Sequence, residues 1–282
     1  MVGRFASVAL AAVVILGAAA AQAQTLERVR ATGTFTIGYR EDAAPYSYRN
    51  ALGEPDGYSV ELCRAIATNV KDALGLANIK VVYRPVTTEG RFQEVQDGRV
   101  DIECGATTVT LSRRELVDFS LFTFIDGASV LLRADSPPDL QGLAGKKVGV
   151  RGGTTTEQAL RNTLAQEKIA AEVVTVGSHD DGLQQLQKGQ VAAYFADRAI
   201  LLFLIAKSQD QGLRVSERFF TFEPYALALH RGDHVFRLLV DRTLSALYRS
   251  GKIHEIFTHS FGENAHESDM LKALYIIDGL SR

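Results

Sequence analysis

Apolar and polar positions alternate in short runs along the chain, and most runs give way to a stretch with helical spacing. Phe35 and Ile37 alternate with polar neighbours across Thr34 to Tyr39, which predicts a strand. Before it, Leu26 to Ala31 predicts a short helix ended by Gly33; after it, Arg40 to Tyr48 is a loop and Asn50 to Asp56, with Gly53 and Pro55, a tight turn. Val60, Leu62, Ile66 and Val70 fall on one face of a helix opened by Gly57-Tyr58-Ser59. Ile79 to Tyr83 is a second strand, a helix begins at Thr88 and ends at Gly98, and Val100 to Glu103 is a third strand. Strand and helix in strict turn point to a mostly parallel sheet.

The alternation then repeats. Phe119 to Phe124 is an aromatic, extended stretch. Ala128 to Leu132, Lys147 to Val150, Glu172 to Val176 and Ala192 to Phe195 read as strands. Helices are expected after Gly152-Gly153, over Asp181 to Gln187 and over Ala199 to Ala206, with a break at Pro137-Pro138. Phe219 to Leu229 is extended again, Asp233 to Ser250 is a strongly amphipathic helix closed by Gly251, and Ile253 to Phe261 and Met270 to Ile277 predict two shorter terminal helices. The expectation is two α/β lobes, the second inserted in the first: 24–120 with 225–282, and 121–224, hinged at two crossings near Ser120 and Pro224.

The first residues read as an export signal rather than as fold. Arg4 is a short positive region, Val8 to Ala20 is apolar but too short to span comfortably, and Ala21-Gln22-Ala23 is an A-x-A cleavage site. The expected product is a soluble periplasmic chain starting at Gln24. A formal charge of −2 across 282 residues lacks the basic excess of a nucleic-acid binder. Cys63 and Cys104 are the two cysteines. Export favours a single disulfide between them, and two buried free thiols are the other reading. No G-x-S-x-G elbow, HExxH or GxGxxG is present, and no metal or cofactor is expected.

The candidate chemistry lies in loops after strands, where open α/β sheets bind ligands. Gly105 breaks the third strand, and Ala106, Thr107 and Thr108 follow with small side chains and hydroxyls. Ser112-Arg113-Arg114-Glu115 reads as a capping box with Ser112 at the N-cap, which places Arg113 at a helix N-terminus. A guanidinium fork, hydroxyls and spare N–H groups suit a small carboxylate, and a surface Arg at a strand–turn–helix corner is the plainer alternative. Thr88 and Arg91 open a helix, where a cation opposes the helix dipole and a bound anion would justify it. Thr154 and Glu157 fit a second capping box, which puts Thr155 at another helix start. Arg40 follows a strand, as a solvated loop Arg also would. His179 precedes a helix, where a structural role is the alternative. Asp197 reads either as an N-cap or as the partner of an ammonium group.

These motifs line up with a known family. Gly38-Tyr-Arg40-Glu, Pro45-Tyr-Ser-Tyr48, Gly57-Tyr-Ser59, Glu103-Cys-Gly-Ala-Thr-Thr108, Arg113, Val117-Asp-Phe-Ser120, Gly153-Thr-Thr155, His179 and Asp197 together resemble a family 3 periplasmic solute-binding protein of an amino-acid ABC transporter, nearest its glutamate/aspartate branch. The resemblance implies a type II periplasmic-binding-protein fold, each lobe a mixed sheet flanked by helices. It implies that Arg113, Thr108 and Thr155 grip an α-carboxylate, with Ala106 and Thr107 in the same turn. It implies that Asp197 receives the α-ammonium, and that Arg40, Thr88, Arg91 and His179 hold the side-chain carboxylate. An acidic amino acid, an inner-membrane ABC permease and a monomeric state follow. Three arginines against one aspartate give a cleft charge of about +2, attractive to such a ligand. Ala106 and Glu89 depart from the branch pattern, which leaves glutamate, aspartate and a broader site including the amides all open. A dehydratase-like enzyme acting on a small carboxylate, and a chemoreceptor partner, are the alternatives.

Overall fold

The computed structural model describes residues 25–137 and 140–281. The expected signal segment, 1–23, and Pro138 lie outside them.

The first half contains α1 (Thr25–Thr32), β1 (Thr34–Tyr39), the short strands β2 (Asp42–Ala43), β3 (Ser47–Arg49) and β4 (Pro55–Asp56), α2 (Tyr58–Ala73), β5 (Lys80–Pro85), α3 (Arg91–Gln96), β6 (Ile102–Glu103), the single turn α4 (Leu111–Arg114) and β7 (Asp118–Asp126). There follow β8 (Ala128–Arg133), a 3-10 turn at Leu140–Leu143, β9 (Lys147–Arg151), α5 (Thr155–Gln166), β10 (Glu172–Val176), α6 (His179–Gln187), β11 (Ala193–Asp197), α7 (Arg198–Ser208) and β12 (Leu213–Val215). The chain closes with β13 (Glu223–Leu229), α8 (His234–Ser250), α9 (Lys252–Phe261) and α10 (Asp269–Asp278).

Two five-stranded sheets result, ordered β5-β1-β6-β13-β7 and β10-β9-β11-β8-β12. Both are mixed. β1 is parallel to β5 and β6, while β13 runs antiparallel to β6 and β7. β9 is parallel to β10 and β11, while β8 runs antiparallel to β11 and β12. This is the α/β, two-sheet architecture expected. The chain leaves the first sheet after Asp126, turns at Gly127 into β8, and returns between Val215 and Glu223. The two crossings touch. Ala128 N–H donates to Thr221 Oγ1 at 3.0 Å, Phe220 N–H to Ala128 O at 2.9 Å, and a Cβ on Gly127 would lie 2.5 Å from Thr221 O.

Three local devices position the site. Helix α2 starts at Gly57 with no side-chain cap; instead Tyr58 and Ser59 donate their N–H groups to Pro45 O (3.0 Å) and Tyr46 O (2.9 Å). Gly57 permits that approach with φ 114°, and any Cβ there would meet Tyr46 O at 2.6 Å. The first turn of α2 then reaches the motif loop, where Ser59 Oγ donates to Gly105 O at 2.9 Å. Cys63 of α2 is joined to Cys104 in a disulfide, which ties the helix to the end of β6 and resolves the choice left open in the sequence. No described helix is long and apolar enough to cross a membrane.

Two local expectations are corrected. The cap of α4 is Thr110, not Ser112: Thr110 is extended and its hydroxyl accepts the Arg113 N–H at 3.1 Å. Ser112 lies inside the turn and Glu115 is its C-cap; Arg113 still lies in the first turn, three residues after the cap, as expected. The loop expected over Arg40 to Tyr48 contains β2 and most of β3, strands of a small antiparallel sheet, β2-β3-β4, too short to show a period, while the turn expected at Asn50–Asp56 is present and joins β3 to β4.

Candidate functional site

Three guanidinium groups from the first sheet gather round one buried acid. Arg40 leaves β1 with its N–H donating to Ser47 Oγ at 2.9 Å, and its guanidinium pairs with Asp42. Arg91 is the first residue of α3, is 2% exposed, and donates Nη1 to Thr88 O at 2.9 Å. Arg113 donates Nη1 to Thr108 O at 2.7 Å. Both guanidiniums lie over the Phe92 ring, at 4.8 and 5.4 Å from its centroid. Glu103, at the end of β6, is fully buried and accepts from Thr107 Oγ1 at 3.1 Å. Its pKa is pushed up by burial against the opposing pull of Arg91, Thr107, Arg40 and Arg113. Burial draws Arg91 down to about 9, partly offset by Glu103, so it is still a cation at neutral pH. Gly105 belongs to this cluster for a steric reason: a Cβ there would sit 2.3 Å from Glu103 Oε1. Arg91 Nε and Glu103 Oε2 are buried without a hydrogen-bond partner among the described residues.

The second sheet supplies hydroxyls, an imidazole and an acid. Thr154 caps α5 by accepting the Glu157 N–H at 3.0 Å, and the Glu157 carboxylate accepts from Gly153 N–H at 3.1 Å, one residue before the donor a strict capping box uses. Thr155 and Thr156 therefore begin α5 with their hydroxyls in the site. His179 begins α6, with Nδ1 2.8 Å from Tyr194 OH; burial lowers its pKa to about 4, so it is neutral at pH 7. Asp197 stands at the N-cap of α7 yet makes no cap hydrogen bond. Its carboxylate accepts instead from Thr156 Oγ1 at 2.7 Å and from Tyr225 OH. Burial, Glu223 and Asp126 together raise its pKa to about 7.

Arg40, Ala106, His179 and Asp197 line one small cavity between the sheets, together with Ala43, Arg151 and Thr156. Thr88, Arg91, Thr107, Thr108, Arg113 and Thr155 are not on its wall. Arg91 and Arg113 adjoin it electrostatically, through Arg40 and Asp197 respectively. Thr108 and Thr155 lie beside each other, hydroxyl to hydroxyl at 3.2 Å, across the two halves.

The expected charge balance is corrected. Asp197 is not a lone acid, nor is the site +2. Glu223, at the start of β13, accepts from Thr108 Oγ1 (2.5 Å), Thr155 Oγ1 (2.7 Å) and Thr221 Oγ1 (2.6 Å), and it is Arg113's principal attraction. Glu103 adds a second buried acid and Asp42 a third, half-buried one, while Arg151 adds a fourth guanidinium. Glu89 directs Oε1 to the Thr88 hydroxyl at 2.7 Å and lies 3.5 Å from Arg151 Nη1. An acid at a strand terminus or in a loop reads from sequence as solvated; Arg151, at a strand end as Arg40 follows one, carries the positional signal that could have found it. One group of potential metal ligands, Asp56, Glu61 and His259, is brought within 4.8 Å, but it shares no residue with this site and Glu61 is paired with Arg64.

The match to a family model now has a structural footing. Residues 35–263 match the bacterial extracellular solute-binding proteins, family 3, and the chain belongs to that family. It is 34% identical to an L-glutamate/L-aspartate-binding protein of Pseudomonas aeruginosa, over 84% of this chain and 80% of that one. It is 29% identical to a glutamate/aspartate import solute-binding protein of Escherichia coli, over 92% and 89%. Among solved structures, an ancestral arginine-binding protein bound to glutamine superposes with TM-score 0.72 at 28% identity, covering 82% of this chain and 98% of that one. An ancestral amino acid-binding protein, a precursor of cyclohexadienyl dehydratase, superposes with TM-score 0.74 at 26% identity, covering 84% and 99%.

Proposed function

We propose that the chain is the substrate-binding component of an ABC importer, taking glutamate or aspartate between two closing lobes. The observation that carries this reading is that Arg113 from the first half and Asp197 from the second lie within electrostatic reach of each other, beside the Thr108 and Thr155 hydroxyls that meet across the halves. A cation and an anion there match the two charged ends of an α-amino acid, and burial strengthens both attractions. Arg113 with the Thr108 and Thr155 hydroxyls would take the α-carboxylate, with Thr107 and the small Ala106 shaping the turn. Asp197 would take the α-ammonium. Arg40, Arg91, Thr88 and neutral His179 would take the distal carboxylate, with Glu103 as the counter-charge that lets three guanidiniums share one region. The relatives that bind glutamate and aspartate support this choice of ligand.

The lobes are the two sheets with their helices, hinged where Gly127 and Thr221 touch, and ligand favours the closed arrangement that a membrane permease recognises. The protein works as a monomer, exported to the periplasm by a signal cleaved after Ala23, and it binds without turnover. Equilibrium dialysis of ligand-stripped protein against labelled glutamate and aspartate tests the reading. Saturable retention of either supports it, and retention of neither overturns it.

A further inference from the structure

Arg151 and Asp42 come from different sheets and meet beside the cavity. Arg151 ends β9 and Asp42 starts β2; Arg151 Nε donates to Asp42 Oδ2 at 3.0 Å. The other oxygen of the same carboxylate holds Arg40. One carboxylate is therefore gripped by two guanidiniums, one from each half of the molecule. Their side chains are 4%, 16% and 10% exposed for Arg40, Asp42 and Arg151, so this is not a solvated surface pair.

A buried guanidinium needs a counter-charge. Among the described residues, the carboxylates paired with Arg151 are Asp42 and Glu89, both from the first half. Within its own half, among the described residues, the Arg151 guanidinium meets only the carbonyl oxygens of Gly152 and Val176, at 3.5 and 3.4 Å. His179 lies within electrostatic reach of Asp42, and Arg40, Arg151 and His179 all line the cavity. The geometry is that of a carboxylate clamp with an internal carboxylate in it.

We infer that Arg151 is a further ligand-contacting arginine and that Asp42 sets which distal group the site accepts. This rests on the acidic amino-acid reading above. A ligand carboxylate entering between Arg40 and Arg151 competes with Asp42 for the same donors and is repelled by its charge. A ligand carboxamide meets an acceptor in Asp42 and loses less. Asp42 thus narrows the preference for glutamate over glutamine, and Arg151 widens it.

The test measures glutamate and glutamine dissociation constants for wild type, Asp42→Asn and Arg151→Gln, with thermal unfolding confirming that each variant folds. Asp42→Ser replaces Asp42→Asn if the amide variant does not fold. Asp42→Asn raises the glutamate-to-glutamine affinity ratio by about tenfold, and Arg151→Gln lowers it by a similar factor. Equal changes for both ligands would mean that the pair only latches the halves together, and would overturn the inference while leaving the proposed function standing. A wild-type protein that binds neither glutamate nor aspartate would overturn the proposed function, and this inference with it; for one that binds aspartate alone, the same comparison is made with aspartate and asparagine.

Discussion

The Thr156 hydroxyl donates to Asp197 Oδ1 at 2.7 Å, although Asp197 stands at a helix N-cap whose own N–H groups it leaves alone. The carboxylate is turned toward the site, next to Glu223 and Asp126, and these neighbours with burial hold its pKa near 7. An ammonium group placed beside it favours the ionised form and lowers that pKa. The bound state then holds fewer protons than the free protein below pH 7, so binding releases a proton and affinity weakens as pH falls, by at most about tenfold per unit. His179, lowered to about 4, stays neutral through this window. Calorimetry at pH 6 in two buffers of different ionisation enthalpy checks it: the apparent binding heat differs between them. Identical heats would mean that Asp197 does not meet the ligand's cation.

Arg40 and Arg91 differ from Arg113 in what they are expected to hold. Replacing Arg40 or Arg91 with Met keeps much of the side-chain volume but removes a charge from the distal group. Glutamate binding weakens by about 1.5–3 kcal/mol, while a neutral amino acid loses little. Arg113→Ala weakens both, since every amino acid carries the α-carboxylate. Titrating each variant with glutamate and glutamine separates the roles; equal losses at all three positions contradict the assignment.

Gly57 is a stability determinant. Its φ of 114° with ψ of 169° is open essentially to glycine alone, and a Cβ would collide with the Tyr46 and Pro45 carbonyls that cap α2. Gly57→Ala destabilises by about 2–3 kcal/mol or more, read as a lower midpoint in urea. Gly53→Ala, with positive φ but open space around it, costs less.

The Cys63–Cys104 disulfide closes a 41-residue separation. Cys63→Ser with Cys104→Ser lowers stability by about 3–4 kcal/mol. Because Cys104 precedes the Gly105–Thr108 turn, ligand affinity falls as well. Unfolding and titration of the double variant check both effects.

Much of the fold was legible because its signals are local. Strand β1 spans the Thr34 to Tyr39 expected from alternation alone, and Gly33, Gly98 and Gly251 punctuate helices where glycine should. Arg40, His179 and Asp197 meet because strand ends and helix starts of a two-sheet fold converge, a topological rule readable before any coordinates. The acids were not legible. Asp42, Glu103 and Glu223 each look like exposed charges in sequence, and only tertiary packing buries them against guanidiniums. Glu115 completes a capping pattern with Ser112 in sequence, yet the helix already begins at Leu111 and Thr110 caps it.

The most direct measurement is calorimetric titration of ligand-stripped wild-type protein with glutamate and with aspartate, beside Arg113→Ala. Saturable one-to-one binding of at least one of the two by wild type, lost in the variant, is the predicted result. Absence of heat with both ligands in a folded wild-type protein, or undiminished binding by Arg113→Ala, would contradict it.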